Sequence, residues 1–195
     1  MKKLGYLCLI TLAAFTFQSC SSENKDSKET ADSLNEAKDT TTNTTATGGI
    51  GVVEADAEFA TKAAVMGMAE VELSKLALEK STHAKIKEFA TMMVNDHGMA
   101  NEELKTIAMG KNISLPATLD EDHQKMWNDL NGKTGKDFDK KYVDDMIDGH
   151  QKTLDLLEKQ AKDGEDAELK TFAGKTAPVV RAHLDQIKKI KDGMK

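Results

Sequence analysis

The sequence predicts an all-α fold, a bundle of four antiparallel helices, and three observations carry that expectation. The chain has only two prolines and 5% aromatic residues, with Ala, Leu, Met, Lys and Glu dominant, a composition that favours helix over strand. From Val53 onward, apolar residues recur at alternating three- and four-residue spacings in four long stretches. Gly, Asn and Asp-Gly breaks separate those stretches.

Two segments of another kind come first. Met1-Lys2-Lys3 is a short basic run, and Leu4 to Phe17 is apolar apart from Gly5 and two Thr. That run is too short to span a bilayer, which takes about 20 residues, and it has the layout of a secretory signal. Phe17-Gln18-Ser19-Cys20 resembles a lipoprotein signal-peptidase site, so residues 1–19 are expected to leave and Cys20 to carry lipid. Cys8 would leave with them, so no disulfide framework and no thiolate metal ligand is expected. Loss of the two Lys in residues 1–19 takes the net charge from −6 to −8, which argues against nucleic acid as a partner. Residues 20–52 hold almost no large apolar side chain and read as a disordered tether. As a flexible coil it would hold the domain, residues 53–195, roughly 30 Å from a membrane.

The first helix, about 55–81, carries Phe59, Ala63, Met66, Glu70, Leu73 and Ala77 on one stripe. The second, about 83–109, carries Ile86, Phe89, Met93, His97, Ala100, Leu104 and Ile107, and Gly110, Asn112 and Pro116 close it. A third, about 136–162, reads Phe138, Tyr142, Met146, His150, Leu154, Leu157 and Ala161, ending at Asp163-Gly164. The fourth, about 165–192, reads Leu169, Phe172, Thr176, Val179, His183, Ile187 and Ile190, with Pro178 expected to kink it or free a carbonyl. Within residues 110–135 the sequence predicts a short helix, Asp120 to Leu130, with Trp127 and Leu130 placed to cap one end of the core. Two hairpins joined by so long a connection give ferritin-like topology.

One polar residue interrupts each seam: Glu70, His97, His150 and His183. At about 1.5 Å rise per residue, Glu70 and His97 fall at matching heights, about 18 and 22 Å from their turn. His150 and His183 match less well, at about 21 and 28 Å from theirs, which makes His183 the doubtful member. The four form either a metal site or a buried hydrogen-bonded network. As ligands, one carboxylate and three imidazoles suit a single transition-metal ion such as Zn, Cu or Fe. Met66, Met93 and Met146 lie one turn before three of them; they read first as core and second as soft ligands. Asp96, Asp139 and Tyr142 are candidates to orient the rings, while His83 and His123 read as solvent-facing.

Absences narrow the chemistry. A di-iron bundle needs Glu-x-x-His on two helices, and Val94 and Val180 stand three residues before His97 and His183. No Gly-rich phosphate loop, HExxH or activated nucleophile is evident, so no catalytic activity is expected. Segments 58–80, 89–105, 115–124, 135–158 and 177–187 together resemble a bacterial family known only as a domain of unknown function. Its ferritin-like bundles are often described as outer-membrane proteins or lipoproteins. The resemblance implies the bundle and an outer-membrane, cell-envelope location. Two functions remain open: a lipid-anchored, metal-binding domain for sequestration, sensing or stress protection, or an interaction module whose polar seam is structural. For the latter, the 110–135 connection, Trp127 included, is the expected partner surface.

Overall fold

The computed structural model describes residues 26–38 and 49–194. The expected signal segment and Cys20, and the tether outside 26–38 and 49–52, lie outside the described residues. The fold is all-α. Six helices follow one another: α1 (Ser27–Lys38), α2 (Glu54–Lys80), α3 (Ala84–Gly110), α4 (Glu121–Asn131), α5 (Gly135–Asp163) and α6 (Ala167–Gly193). The last five lie within a few residues of the expected bounds. Among the described residues, no helix is long and apolar enough to cross a membrane.

Helices α2 and α3, and α5 and α6, are antiparallel hairpins, packed so that α2 also lies against α5 and α3 against α6. Asp56 near the start of α2 meets Gln160 near the end of α5 at 2.6 Å, while Ser74 in α2 meets Tyr142 near the start of α5 at 2.9 Å. Those two helices are therefore antiparallel as well. The chain between α3 and α5 crosses the length of the bundle, and α4 within it packs on α2 and α5. Asp120 caps α4 by accepting from the His123 amide at 2.9 Å, and Asp166 caps α6 by accepting from the Leu169 amide at 3.0 Å. Leu130 is fully buried, and Trp127 is half-buried against the core. Phe89, Phe138, Tyr142, Leu157, Leu169 and Ile187 fill the bundle interior.

Two expectations need correction. Residues 27–38 are not a tether: they form α1, docked on α2 and on the chain that follows α3. Ala31 is its one buried apolar residue, and polar side chains make the remaining ties. Asn35 donates to the Ser114 carbonyl at 2.9 Å and accepts from the Ser114 amide at 2.7 Å. Thr61 donates to Asp32 at 2.7 Å, Ser27 Oγ accepts from the Ala117 amide at 3.1 Å, and Asp26 caps α1 at the Lys28 amide at 2.7 Å. The second correction concerns α6, whose buried stripe runs through Ala177 and Val180, leaving Val179 43% exposed.

Candidate metal centre

Each seam residue sits near the middle of a long helix, where the backbone holds it most firmly. Small residues let α2 approach α3 at this level: a Cβ on Gly67, three residues before Glu70, would overlap the Asn101 side chain. The close approach places Glu70 Oε2 2.8 Å from His97 Nδ1, and Glu70 Oε1 3.3 Å from His150 Nδ1. His183 closes the group from α6, its Nδ1 3.3 Å from His97 Nε2. The three imidazole centroids are 5.3 to 5.7 Å apart, and one nitrogen of each ring lies within 4.8 Å of the others. All four side chains are buried, and Phe89 packs against His150 and His183 at 6.1 and 6.5 Å.

The partners outside the cluster fix which nitrogens carry hydrogen. His150 Nδ1 faces two acceptors, the Met146 carbonyl at 2.8 Å and Glu70 Oε1, so it is the donor and Nε2 keeps its lone pair. That Nε2 is buried and has no hydrogen-bond partner. Because His97 Nδ1 faces the Glu70 carboxylate, His97 Nε2 is the free nitrogen. His183 Nε2 faces Asp96 Oδ2 at 2.9 Å, which leaves His183 Nδ1 free. Three lone pairs, on His97 Nε2, His150 Nε2 and His183 Nδ1, belong to one cluster of rings.

Charge follows the same geometry. Burial alone would raise the Glu70 carboxyl, but the charges of His97 and His150, with hydrogen bonds from His97 and Thr153, outweigh it and bring it to about 2. Burial lowers His97, yet Glu70 and then Asp96 more than offset it, and its pKa is raised. His150 is lowered, chiefly by burial, with the charge of His97 adding to it. Burial and the charge of His97 bring His183 down to about 4 despite Asp96. A proton added to the cluster therefore resides on His97, between Glu70 and His183.

The family model described as a domain of unknown function (DUF4142) matches residues 37–190. The chain belongs to that family. Among curated proteins, none matches it in sequence. The solved structures that share its fold include the following three. One described as "CopM in the Cu(II)-bound form" is 20% identical, with a TM-score of 0.62 over 72% of this chain and 97% of that one. A second, "CopM in the Cu(I)-bound form", is also 20% identical, at 0.61 over 71% and 96%. The third, a DUF305 fragment from Deinococcus radiodurans, is 12% identical, at 0.61 over 71% and 96%. At these identities the likeness concerns the fold.

Set against the sequence expectations, the structure brings Glu70, His97, His150 and His183 together, His183 included. The helix bounds explain the doubtful height: His150 is 13 residues before Asp163 and His183 is 16 after Ala167, a difference of about 4.5 Å that two long rings can absorb. Glu70, however, lies behind the rings at their Nδ1 atoms; it orients ligands and is not one of the converging donors. Asp96 orients His183 as expected of an orienting group. Asp139 and Tyr142 do not reach the cluster. Eleven and eight residues before His150 on the same helix, they lie about 16 and 12 Å along the axis. Asp139 lines a cleft beside His83 at the bundle end, and the Tyr142 hydroxyl pairs with Ser74. Met93 and Met146 are buried in the apolar core, where the Met146 carbonyl, not its sulfur, is seen to serve His150. His83 and His123 are half-buried, and His123 Nδ1 pairs with Asp120 at 2.5 Å. Thr153, missing from the sequence expectations, donates to Glu70 Oε1 at 3.2 Å; its position three residues after His150, on the same helix face, is the signal that marks it.

Proposed function

We propose that this DUF4142 domain binds a single transition-metal ion through His97 Nε2, His150 Nε2 and His183 Nδ1, as a non-enzymatic, lipid-anchored envelope protein that sequesters or senses the metal. The observation that carries the reading is the buried, partnerless His150 Nε2 beside two further imidazole nitrogens whose other faces are committed to carboxylates. The 3.3 Å between His97 Nε2 and His183 Nδ1 matches the roughly 3.4 Å expected of two nitrogens in a tetrahedral shell at ~2.0–2.1 Å from the ion. Imidazole donors suit copper and zinc. Copper is the first ion to test, since it is the ion in both forms of the CopM neighbour. Glu70 and Asp96 supply the negative charge that favours a cation there, and a bound ion would draw on the rings as oriented donors.

The anchor rests on the basic start, the apolar run and Ser19-Cys20. Because α1 begins at Ser27 and is docked on the domain, the chain from Cys20 to Asp26 could span at most about 20 Å. A lipid on Cys20 would thus keep the bundle nearer the membrane than a tether of residues 20–52 implies.

The test uses the chain from residue 20, with Cys20→Ser, stripped of metal by a chelator and titrated with Cu, Zn and Fe. An ion at 100 times its Kd should add about 2.7 kcal/mol to unfolding stability. The reading fails if no ion raises the melting temperature, or if His97→Ala, His150→Ala and His183→Ala each keep the full gain.

A further inference from the structure

We infer that the metal-loaded centre keeps one coordination position open toward the cleft between α3 and α6, filled by water and exchangeable for a small monodentate anion. The inference rests on the metal reading above and concerns the same cluster. Three nitrogens converge, whereas zinc and copper(II) complete their shells with four or more donors. Two carboxylates stand beside the rings: Asp96 is held by His183 Nε2 at 2.9 Å, and Glu70 is also spent elsewhere. Its two oxygens face the Nδ1 atoms of His97 and His150, and one of them also accepts from Thr153. Swinging it round to an ion would leave the His97 N–H and the Thr153 hydroxyl without their acceptor, while His150 kept only the Met146 carbonyl.

The cluster is closed on one side and open on another. His150 is 0% exposed and Phe89 covers its ring. On the α3/α6 side, a cleft of about 370 Å³ reaches His97 and His183 between the walls of Ala100, Thr176 and Val180. Its rim carries the exposed Met99 and Val179, and the Lys175–Glu103 ion pair joins the two helices there. A space of that size holds several waters, and the polar groups of its lining are already paired: Asp96 with His183, Glu103 with Lys175, and Thr176 with the Phe172 carbonyl. The fourth donor therefore comes from solvent, and the class that fits is small, monodentate and anionic.

The experiment loads the chain from residue 20 (Cys20→Ser) with one equivalent of Cu(II), or Co(II) as a spectroscopic substitute, and adds sodium azide while recording the visible spectrum. A saturable, one-to-one change in the ligand-field or charge-transfer bands is expected. Ala100→Leu, which narrows the cleft, and Val179→Trp, which covers its mouth from an exposed position, should each weaken azide at least tenfold with metal stoichiometry unchanged. Should Ala100→Leu fail to fold, Val179→Trp decides. A loaded protein whose spectrum azide leaves untouched overturns the open position while leaving metal binding intact. Failure to take up the metal at all overturns the underlying reading instead. Azide binding that neither variant weakens shows that the position opens elsewhere and also defeats the inference.

Discussion

Glu70→Gln separates what the cluster does for the fold from what it does for a metal. The amide keeps the shape of the carboxylate but offers one acceptor and one donor. Its oxygen, placed where Oε1 accepts from Thr153 at 3.2 Å and faces His150 Nδ1 at 3.3 Å, preserves both contacts. The NH2 group then faces His97 Nδ1, which must present a lone pair and shift its hydrogen to Nε2. That hydrogen points at His183 Nδ1, 3.3 Å away, and makes a sound hydrogen bond. The apo-protein therefore loses the charge assistance of its contacts, about 1 kcal/mol each, and escapes the desolvation penalty of a buried carboxylate, so it should change by no more than about 2 kcal/mol. The metal site suffers more, because a donor nitrogen now carries a proton. Loss of such an orienting carboxylate typically weakens metal affinity 10–100-fold, about 1.4–2.8 kcal/mol. Competition against a chromophoric chelator gives the affinity, and thermal unfolding without metal gives the stability. Copper affinity unchanged in Glu70→Gln would refute the assignment of hydrogens on which the site rests.

Further outcomes follow from other contacts. With metal removed, stability should fall as pH drops from about 6.5 to about 4, because the unfolded chain protonates His183 and His150 while the fold holds them neutral; the raised His97 offsets part of this. His183→Gln should flatten that part of a melting-temperature profile, and an unchanged slope counts against it. Below about 4.5 a second loss should set in as the unfolded chain protonates carboxylates that the fold keeps ionised, Glu70 down to about 2. Asn35→Ala should free α1, costing about 1–3 kcal/mol and removing amide-exchange protection from residues 27–38 before that of α2. Asp56→Ala removes a buried carboxylate that accepts from Gln160 at 2.6 Å and from the Asp166 amide at 2.6 Å, tying α2 to the α5–α6 turn. Urea unfolding should show a loss of about 3 kcal/mol or more, and a loss under 1 would contradict that role.

Helix placement was legible because long amphipathic helices announce themselves through spacing, and Gly110 and Asp163-Gly164 fall where α3 and α5 end. The four seam residues were legible for the same reason, each being the polar exception on an apolar stripe. The phase of α6 was harder to read. Thr176/Val179 and Ala177/Val180 are stripes about 100° apart with equal claims to burial, and only packing against α3 and α5 selects the second. Helix α1 escaped because hydrophobic pattern is blind to the bonds that hold it; Asn35 and Ser114 are 79 residues apart in sequence. The distance of Asp139 and Tyr142 from His150 was available from helical rise alone. The role of Glu70 was not, since whether a carboxylate meets a lone pair or an N–H depends on side-chain geometry across three helices.

That geometry also bears on the choice between a metal site and a structural hydrogen-bond network. Glu70, Asp96 and the Met146 carbonyl hold the N–H groups of the three rings, leaving the lone pairs of His97 and His183 3.3 Å apart and that of His150 buried without a partner. A network serving the fold alone gains nothing from this, since an unpaired buried acceptor costs about 1–3 kcal/mol. One added proton relieves the contact between His97 and His183, because protonated His97 can donate to Glu70 and His183 together. It does nothing for His150 Nε2, which stays buried and unpaired. A metal ion differs from a proton in accepting more than two lone pairs at once, so it alone of the two could satisfy all three nitrogens. A proton on His97 would compete with the ion for the same nitrogen, so metal affinity should fall as pH drops.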